Sequence, residues 1–520
     1  MKLTLITPTP SDICAFGVRS ISAYIKSQGH EVKNIFLPIS LKGRKTRFEI
    51  CYTYDDNILD DMVNLAKDSD IIGISFMTNY FDAAVQITQK LKKHLDVPIV
   101  WGGTHPTVKP DECFNYVDMV CIGEGEEALA ELMQKISEGR SYYNTQNFWF
   151  RKNGDIIKNS IRPLIQNIDA LPFVDFDLKG QYVSDIRKNK IVGMDSELLE
   201  FILPREPHFN NTFHISFKIY ASRGCPHSCS YCINDYLRKM YSGQRYLRMK
   251  NVDNVIAEME QIKHQFPFIQ TFVLFDDTFL ARSTDGIAAF SSAYKKRIGI
   301  PFHVQVSPLT ISRRKMEHLI DAGLVFVEMG IQTGSERTKR LYQRPISNER
   351  VIQAANLIND FQSKLLPPCY HVILDNRWEN AEDLIDTLNT IIQLPKPFWF
   401  KRSSLILFPG TELYEKAKRE NLIKDEIKEI YRRNFALPLH SYVNFLIYLA
   451  IHDNFPRFIL KFLSQKSLVN LLNKEDYRKI FGLFQRLFDM WNLILKGFTA
   501  LFSGDFSRIF TYLKKRSNFV

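Results

Sequence analysis

The sequence predicts an α/β protein that begins with a doubly wound sheet, continues with a partial TIM-type barrel and ends in an α-helical region. Short apolar strands alternate with amphipathic helices over residues 1–143 and again over residues 215–425, as in parallel sheets. Residues 426–520 show helical periodicity instead. The chain of 520 residues also exceeds the roughly 250–300 residues at which single cores stop growing, so we expect several domains.

The first domain, residues 1–143, begins with the strand LTLITP and a helix from about Phe16 to Gln28. Three more apolar strands follow, at residues 70–75, 98–103 and 117–122. The carboxyl ends of parallel strands share one edge, where ligands bind. The turns GIS, WGGTHPT and GEGE are therefore predicted to lie on one ligand-binding edge.

Residues 144–214 are predicted to be a linker that bridges the two domains. From Lys218 onward the strands FKIYASRG, TFVLFDD, FHVQV and VFVEMGIQ alternate with helices near residues 252–265, 285–296 and 311–322. Successive βα units predict a partial barrel, whose functional residues lie at the carboxyl ends of its strands. Asp276-Asp277 and Gly330–Gln332 are at such strand ends.

The barrel opens with the stretch SRGCPHSCSYC, which places Cys225, Cys229 and Cys232 in a CxxxCxxC spacing. Three thiolates on one short loop can bind three irons of a cubane cluster and leave the fourth iron open. A structural zinc site would need a fourth ligand in a paired arrangement, and no second CxxC follows. The other cysteines are scattered and are predicted to be small buried hydrophobic residues. They are Cys14, Cys51, Cys113, Cys121 and Cys369.

This spacing, with Arg223-Gly224 before it and Tyr231 before its last cysteine, resembles the radical S-adenosylmethionine superfamily. The resemblance implies a 4Fe-4S cluster whose open iron binds S-adenosylmethionine and cleaves it reductively to a 5′-deoxyadenosyl radical. It also implies that Asp276 and Asp277 lie near the methionyl amino group, that Gln332 contacts the ribose, and that Tyr231 stacks on or edges the adenine.

The glycine-rich turns of the first domain, in this order, resemble the Rossmann-like cobalamin-binding domain that precedes the radical domain in one branch of the superfamily. The residues expected to contact the corrin are Ser75, Gly102, Gly103, His105, Gly123, Glu124 and Gly125. Cys14 stands where related domains carry the histidine of DxHxxG, so we expect no protein ligand on the lower face of cobalamin. His105 is expected to bond within its own loop rather than to cobalt.

The resemblance extends over roughly residues 1–425, with two departures besides Cys14: Gln332 replaces the usual glutamate, and one later turn differs. The segment LFPGTELY at residues 407–414 matches a late motif of this branch. The segment HVILDNRWEN at residues 371–380 stands where the family usually has GxPGE, and it lacks those glycines. The usual role of that turn is therefore not carried over to this chain.

The carboxyl-terminal region is basic and aromatic. Residues 431–520 contain 14 Lys and Arg, 5 Asp and Glu, and 19 aromatic residues, and so carry most of the net charge of +11. Two aromatic series recur at helical spacing, each predicted to form one apolar helix face. They are Phe481, Phe484, Phe488 and Trp491, and Phe498, Phe502, Phe506 and Phe510. Two interpretations stay open: a helical cap over the barrel mouth, or an element that lies on a membrane surface.

The leading functional hypothesis is a cobalamin-dependent radical methyltransferase that acts on an unactivated carbon of a small or lipid-like molecule. The alternatives are radical cyclisation or rearrangement, with cobalamin as a redox or structural cofactor, and a non-catalytic cobalamin or S-adenosylmethionine sensor. A flavodoxin or ferredoxin is the expected electron donor, and no nucleic-acid partner is expected. Unpaired thiols and the absence of a secretory leader in MKLTLITPTP favour the cytoplasm, with a peripheral contact at the inner membrane face as an extension.

Overall fold

The computed structural model describes residues 1–9, 13–38, 49–452 and 455–502, and for residues 493 and 495–502 it describes only the backbone. Two large sheets, both flanked by helices, are followed by a group of carboxyl-terminal helices. This architecture confirms the predicted α/β class and the predicted order of its parts.

The first sheet is a doubly wound sheet extended at both edges. Its strands are β1 (Lys2–Thr9), β2 (Glu31–Pro38), β3 (Ile71–Ser75), β4 (Ile99–Gly102), β5 (Met119–Cys121), β6 (Phe148–Lys152), β7 (Asp155–Lys158), β8 (Gln181–Asp185) and β9 (Lys190–Gly193). They lie in the order β7-β6-β5-β4-β3-β1-β2-β8-β9. The neighbours from β5 to β8 are parallel, whereas β6, β7 and β9 are antiparallel additions.

Helices cover both faces of this sheet. They are α1 (Phe16–Ser27), α2 (Asp56–Ala66), α3 (Phe81–His94), α4 (Thr104–Val108), α5 (Pro110–Cys113) and α6 (Glu126–Ser137). Successive side chains of a strand point to opposite faces. Leu5 accordingly packs in the core beneath α1 and α6, whereas Ile6 packs in the core beneath α2 and α3.

The segment predicted to be a linker, residues 144–214, also extends the first sheet at both of its edges. It contributes β6, β7, β8 and β9. The β6–β7 hairpin turns at Asn153-Gly154, where both residues have positive φ (51° and 92°). An Asn-Gly pair favours this two-residue turn, and that signal in the sequence was missed. The rest of the segment carries α7 (Ser196–Ile202) and the short edge strand β10 (Arg205–Pro207).

The second sheet is an open row of parallel strands, which fits a partial barrel. Its strands after β10 are β11 (Phe213–Ile219), β14 (Thr271–Leu274), β15 (Phe302–Val306), β16 (Leu324–Gln332), β17 (Cys369–Leu374) and β18 (Trp399–Ser404). These six run parallel, and β10 pairs antiparallel with β11. A separate small ladder joins β12 (Ser222–Arg223) to β13 (Arg248–Met249). The strand β18 ends the row, so one edge of the half-barrel is not closed by another strand of the sheet.

The helices of the second domain alternate with its strands. They are α8 (Ile233–Met240), α9 (Val252–Gln265), α10 (Thr284–Arg297), α11 (Arg313–Asp321), α12 (Glu336–Leu341), α13 (Asn348–Asn359), α14 (Ala381–Gln393) and α15 (Glu412–Arg419). The bounds of α9 equal the predicted ones, and those of α10 and α11 differ by at most two residues. Strongly periodic helices with polar caps are the elements that sequence patterns locate best.

The described part of the carboxyl-terminal region contains four α-helices: α16 (Tyr442–Ala450), α17 (Arg457–Leu463), α18 (Lys466–Leu472) and α19 (Arg478–Phe502). The first of them is buried in the main core of the second domain and packs on α14. At the carboxyl end of β17, Asp375 accepts hydrogen bonds from Leu439 N (2.8 Å) and Asn444 Nδ2 (2.9 Å). The region therefore covers the free edge of the half-barrel. Over the described residues, no helix is long and apolar enough to cross a bilayer.

The aromatic series from Phe481 to Trp491 lies along one side of α19, as its spacing predicts, but it is unevenly buried. Phe481 is 6% exposed and packs on Tyr442, whereas Trp491 is 58% exposed. A step of ten residues leaves two side chains about 80° apart around an α-helix, so these two rings lie toward opposite edges of one broad face. In the second series, the side chains of Phe498 and Phe502 and all of Phe506 and Phe510 lie outside what the structure describes.

Candidate active site

The three cysteines of the CxxxCxxC motif line one cavity of about 180 Å³ at the carboxyl end of the second sheet. Their loop leaves β12 at Gly224, which has φ of +83° and no room for a side chain, because a Cβ there would lie 2.5 Å from the Tyr246 carbonyl. The loop ends where Cys232 caps α8. A glycine is thus required immediately before Cys225, and this agrees with the Arg-Gly-Cys order of the sequence.

Polar groups surround the three sulfurs. Arg344 Nη1 and Asn234 Nδ2 each lie 3.7 Å from a thiol, of Cys229 and Cys232 respectively, and the Thr278 hydroxyl is 3.4 Å from Cys225 Sγ. Burial raises the pKa of Cys232 to about 11, so the site disfavours an uncompensated thiolate. Three sulfurs facing one cavity, with N–H donors beside them, fit the ligand set of a cluster that has one open iron.

The two predicted aspartates have different environments. Asp276 is fully buried beneath the cluster loop, where it accepts hydrogen bonds from Ala221 N (3.1 Å) and the Ser222 hydroxyl, and burial raises its pKa to about 6. Asp277 lines the cluster cavity and accepts a hydrogen bond from Asn234 Nδ2 (3.0 Å). Asp276 therefore supports the loop, and Asp277 is the aspartate that can meet a ligand.

Tyr231 and Gln332 both line the cluster cavity, as do the cysteines. The ring of Tyr231 packs edge-on against Tyr342, with 4.9 Å between centroids. Gln332 ends β16 with φ of +72°. Its amide nitrogen folds back to 2.5 Å from where a Cβ of Gly330 would lie, so the glycine makes room for this side chain. The structure thus brings together Tyr231, Asp277 and Gln332 beside the cluster loop.

A charged group on the inner face of the second sheet was missed from the sequence. Glu328 lies across from Gln305 in the strand register, and its carboxylate is 3.3 Å from His371 Nε2 and 3.0 Å from Lys401 Nζ. Burial alone would raise the pKa of Glu328, but the imidazole and the ammonium outweigh it and lower the pKa to about 2. The signal was a charged residue inside an apolar parallel strand, at alternate positions with Gly330 and Gln332.

Glu328, His371 and Gln305 line the cluster cavity. Glu328, Cys369 and His371 bring ligand atoms within 4.8 Å of one another, the spacing of a metal site. The ammonium of Lys401 already neutralises the carboxylate, so we assign no metal ion to this group. These polar side chains instead provide hydrogen-bonding positions next to the cluster loop.

A second and larger cavity, of about 440 Å³, lies on the carboxyl edge of the first sheet and reaches the second domain. Its lining includes all the predicted corrin contacts except one: Ser75, Gly102, Gly103, Gly123, Glu124 and Gly125. A Cβ on Gly103 would meet the Phe76 backbone at 2.8 Å, and one on Gly123 would meet the Tyr241 hydroxyl at 2.0 Å. Glycine is therefore required at these two turns, and the absence of side chains there fits the close approach of a large planar ligand.

The exception among the predicted corrin contacts is His105. It is fully buried between Phe76 and Tyr431 and does not line the cavity. Its Nδ1 is 3.2 Å from the Thr78 hydroxyl, and burial lowers its pKa to about 3. His105 is thus a neutral residue of the short helix α4 whose hydrogen bond is local, as predicted, although the prediction placed it in a loop. Cys14 is also buried and outside the lining.

The two domains are joined by ion pairs along the wall of the larger cavity. Arg223, two residues before the first cluster cysteine, contacts Glu124 (3.1 Å) and Glu126 (2.6 Å) of the first domain. Arg248 contacts Glu124 at 2.8 Å, and its side chain is only 4% exposed. It lies opposite Arg223 in the ladder of β12 and β13. The carboxylate of Glu124 is thus engaged by two guanidiniums. This clamp (Glu124, Glu126, Arg223 and Arg248) was not foreseen from the sequence.

The cavities adjoin at two side chains. Asn234 and Asp277 line both of them, and the two side chains are hydrogen-bonded to each other. A ligand on the glycine-rich edge and a ligand on the cluster loop would therefore meet across this pair.

Comparisons with known proteins agree with this arrangement. The family described as "B12 binding domain" matches residues 3–133, and the "Radical SAM superfamily" matches residues 219–391, together more than half of the chain. An uncharacterized methyltransferase of Pyrococcus horikoshii is 24% identical over 380 residues, which are 71% of this chain and 74% of that protein. A bacteriochlorophyllide d C-8(2)-methyltransferase of Chlorobaculum tepidum is 21% identical over 393 residues, 72% of this chain and 74% of that one.

Among solved structures, the cobalamin-dependent S-adenosylmethionine radical enzyme OxsB with aqua-cobalamin bound is similar in fold. Its TM-score is 0.66 at 14% sequence identity, and the match covers 99% of this chain and 83% of that one. The similarity extends past both matched domains into the carboxyl-terminal helices, so the whole architecture has a counterpart.

Proposed function

We propose that this chain, which belongs to the radical S-adenosylmethionine proteins with an amino-terminal B12-binding domain, methylates an unactivated carbon of an amphipathic small molecule. The observation that carries the proposal is the meeting of the two cavities at Asn234 and Asp277. A methyl donor held on one side of this pair would face a radical generated on the other.

Membership in this family confirms the three predicted cofactors: a 4Fe-4S cluster, S-adenosylmethionine and cobalamin. When bound, the cluster supplies the electron that cleaves S-adenosylmethionine, and cobalamin supplies the methyl group. Cys225, Cys229 and Cys232 would hold the cluster, and the glycine-rich edge would hold the corrin.

Other residues of the cluster cavity would orient S-adenosylmethionine. The Asp277 carboxylate accepts one hydrogen bond from Asn234 and can accept more from the methionyl ammonium. The Gln332 amide can donate to and accept from ribose hydroxyls. Arg344 lies between Cys229 and Gly330, where its charge offsets that of the sulfurs.

The amphipathic substrate is argued from two neighbouring sites. Glu328 and His371 offer polar contacts inside the half-barrel, beside the cluster cavity. Lys401, which pairs with Glu328, also lines a cavity of about 360 Å³ at the free edge of β18. Aromatic and aliphatic side chains, including Phe400, Phe445 and Phe481, form much of the wall of this cavity at β18. A molecule with one polar and one apolar part would be complementary to both.

A sensor is disfavoured, because a sensor has no need for three sulfur ligands that face an open cavity. Radical cyclisation stays the competing reaction, and it can be distinguished by the fate of the methyl group. We would compare metabolites of a deletion strain, before and after complementation, during growth on methionine with a fully deuterated methyl group. The proposal expects a metabolite that appears only on complementation and carries the whole labelled methyl on carbon.

The matched control is complementation with two cysteine variants. Cys225→Ala should fail to restore the labelled metabolite, whereas Cys113→Ala, a buried cysteine that lines neither cavity, should restore it. A restored metabolite without deuterium would refute methylation and favour the cyclisation alternative.

A further inference from the structure

A stripe of exposed apolar side chains runs along α19. Its members are each 45–58% exposed: Ile480, Leu483, Phe484, Leu487, Met490, Trp491 and Ile494. Positions that recur every three or four residues share one face of a helix. The stripe is therefore continuous over about four turns of helix.

Apart from Phe484 at its edge, whose ring centroid is 6.2 Å from that of Phe445, the stripe is not what attaches α19 to the rest of the protein. A different face of the helix packs on α16, with 5.1 Å between the ring centroids of Phe481 and Tyr442 and 5.8 Å between those of Phe488 and Tyr448. Asp489 also accepts a hydrogen bond from the Tyr448 hydroxyl. The helix is thus held by one face and presents a second apolar face outward.

Exposed apolar residues are concentrated in this region. Of the 18 large apolar side chains that are exposed in the described part of the chain, 11 lie between residues 435 and 494. On α17, Phe458 and Phe462 are one turn apart and are 74% and 60% exposed. Single exposed apolar residues are ordinary, but a contiguous patch marks an interaction surface.

The charges around the stripe indicate what covers it. Lys479 and Arg486 are exposed and border the stripe on the side away from α16. Residues 431–520 carry a net charge of +9. In a symmetric contact with a second copy these cations would face one another, whereas anionic lipid headgroups would neutralise them. A helix with an apolar face and flanking cations is typical of binding in the plane of a bilayer surface.

We propose that α19 and α17 seat this protein on the surface of an anionic membrane. The stripe would enter the boundary between headgroups and acyl chains, and Lys479 and Arg486 would contact the headgroups. This inference does not depend on the reaction that the enzyme catalyses.

The experiment is co-sedimentation of the full chain with vesicles of phosphatidylglycerol and phosphatidylcholine, and with vesicles of phosphatidylcholine alone. The test variant is Leu483→Ser/Leu487→Ser/Trp491→Ser. Its matched control is Ile186→Ser/Phe201→Ser/Leu309→Ser, three residues of similar exposure in the other domains. Deletion of α17 to α19 is unsuitable, because it would uncover the buried α16.

We expect wild type and control to bind the anionic vesicles, and the stripe variant to bind about tenfold less. Lys479→Glu/Arg486→Glu should weaken binding as well, and added salt should weaken that of wild type. Iron content and size-exclusion profile should stay unchanged in each variant, which shows that the fold is intact. Equal binding by the stripe variant, or no binding of wild type at low salt, would overturn the proposal. So would a wild-type dimer that the stripe variant dissociates.

Discussion

The two cavities of the active site are lined by different kinds of residues. The larger one combines glycines at three turns of the first sheet with many aliphatic and aromatic side chains and the clamp residues, whereas the smaller one is lined mainly by three sulfurs and by polar side chains. Glycine turns among apolar side chains suit a large, rigid and planar ligand that must approach closely. Charged side chains suit a flexible zwitterion and a metal cluster. The comparison shows that two adjacent ligand sites in one chain can have different linings. Among the described residues, they share only the side chains of Asn234 and Asp277.

The largest expected effect is complete loss of the cluster with full retention of cobalamin. Replacing Cys225, Cys229 and Cys232 together by Ala should remove the roughly four iron atoms of the reconstituted cluster. Formation of 5′-deoxyadenosine should stop, because no reductant would reach S-adenosylmethionine. Cobalamin content should persist, since none of the three cysteines lines the larger cavity. Iron analysis, chromatography of 5′-deoxyadenosine and cobalamin absorbance check this, and loss of cobalamin as well would show that the cavities are not independent.

The converse variant changes Gly102, which lines the larger cavity. A Cβ on Gly102 would meet only Cys121 Cβ, at an ordinary 3.7 Å, so the fold should accept a side chain there. The methyl groups of Gly102→Val would instead occupy the cavity, and we expect cobalamin retention to fall at least about tenfold. Iron content should stay at the wild-type level. Gly193→Val, on the edge strand with open space around it, is the matched control and should retain cobalamin.

A smaller effect distinguishes the two adjacent aspartates. Asp277→Asn should weaken S-adenosylmethionine binding with little change in stability, because Asp277 accepts its one hydrogen bond from an amide. Asp276→Asn should act on stability and its pH dependence instead. The folded-state pKa of Asp276, about 6, lies above its ordinary 3.8, so the folded protein holds this proton more tightly than the unfolded chain.

The sign of that pH dependence follows from linkage. The contribution of Asp276 to the free energy of unfolding is largest below pH 3.8 and declines as the pH rises to about 6. The total decline is about 3 kcal/mol. Urea unfolding of wild type and Asp276→Asn across this range should show a difference that changes with pH. A difference that stays constant would contradict the assignment.

The sequence predicted the scaffold better than the contacts. Continuous apolar strands and capped helices located both sheets, and the cysteine spacing located the cluster loop. The strand pairings of residues 144–214 were missed because a strand such as β8 gains its stability from a distant partner, β2, and not from local pattern. His105 was misplaced for a related reason: a turn's position in sequence does not tell which of its side chains point inward.

The ion pairs of the clamp and those around Glu328 could not be predicted from the sequence either. Arg223 and Glu124 are 99 positions apart, and Glu328 and Lys401 are 73 apart, so their pairing depends on the assembled domains. Charge alone does not identify such partners, since most charged residues are solvated. The tail was predicted as helical, but which of its faces is exposed depended on how α19 packs on α16.

The central claim, that two cofactors lie next to each other across Asn234 and Asp277, is tested most directly by electron paramagnetic resonance of the reduced enzyme. The reduced cluster and cob(II)alamin each carry an unpaired electron. The triple cysteine variant provides the cobalamin signal alone, and Gly102→Val provides the cluster signal alone. Our account predicts that the wild-type spectrum is broadened by mutual coupling and is not the sum of these two. A wild-type spectrum equal to that sum would contradict it.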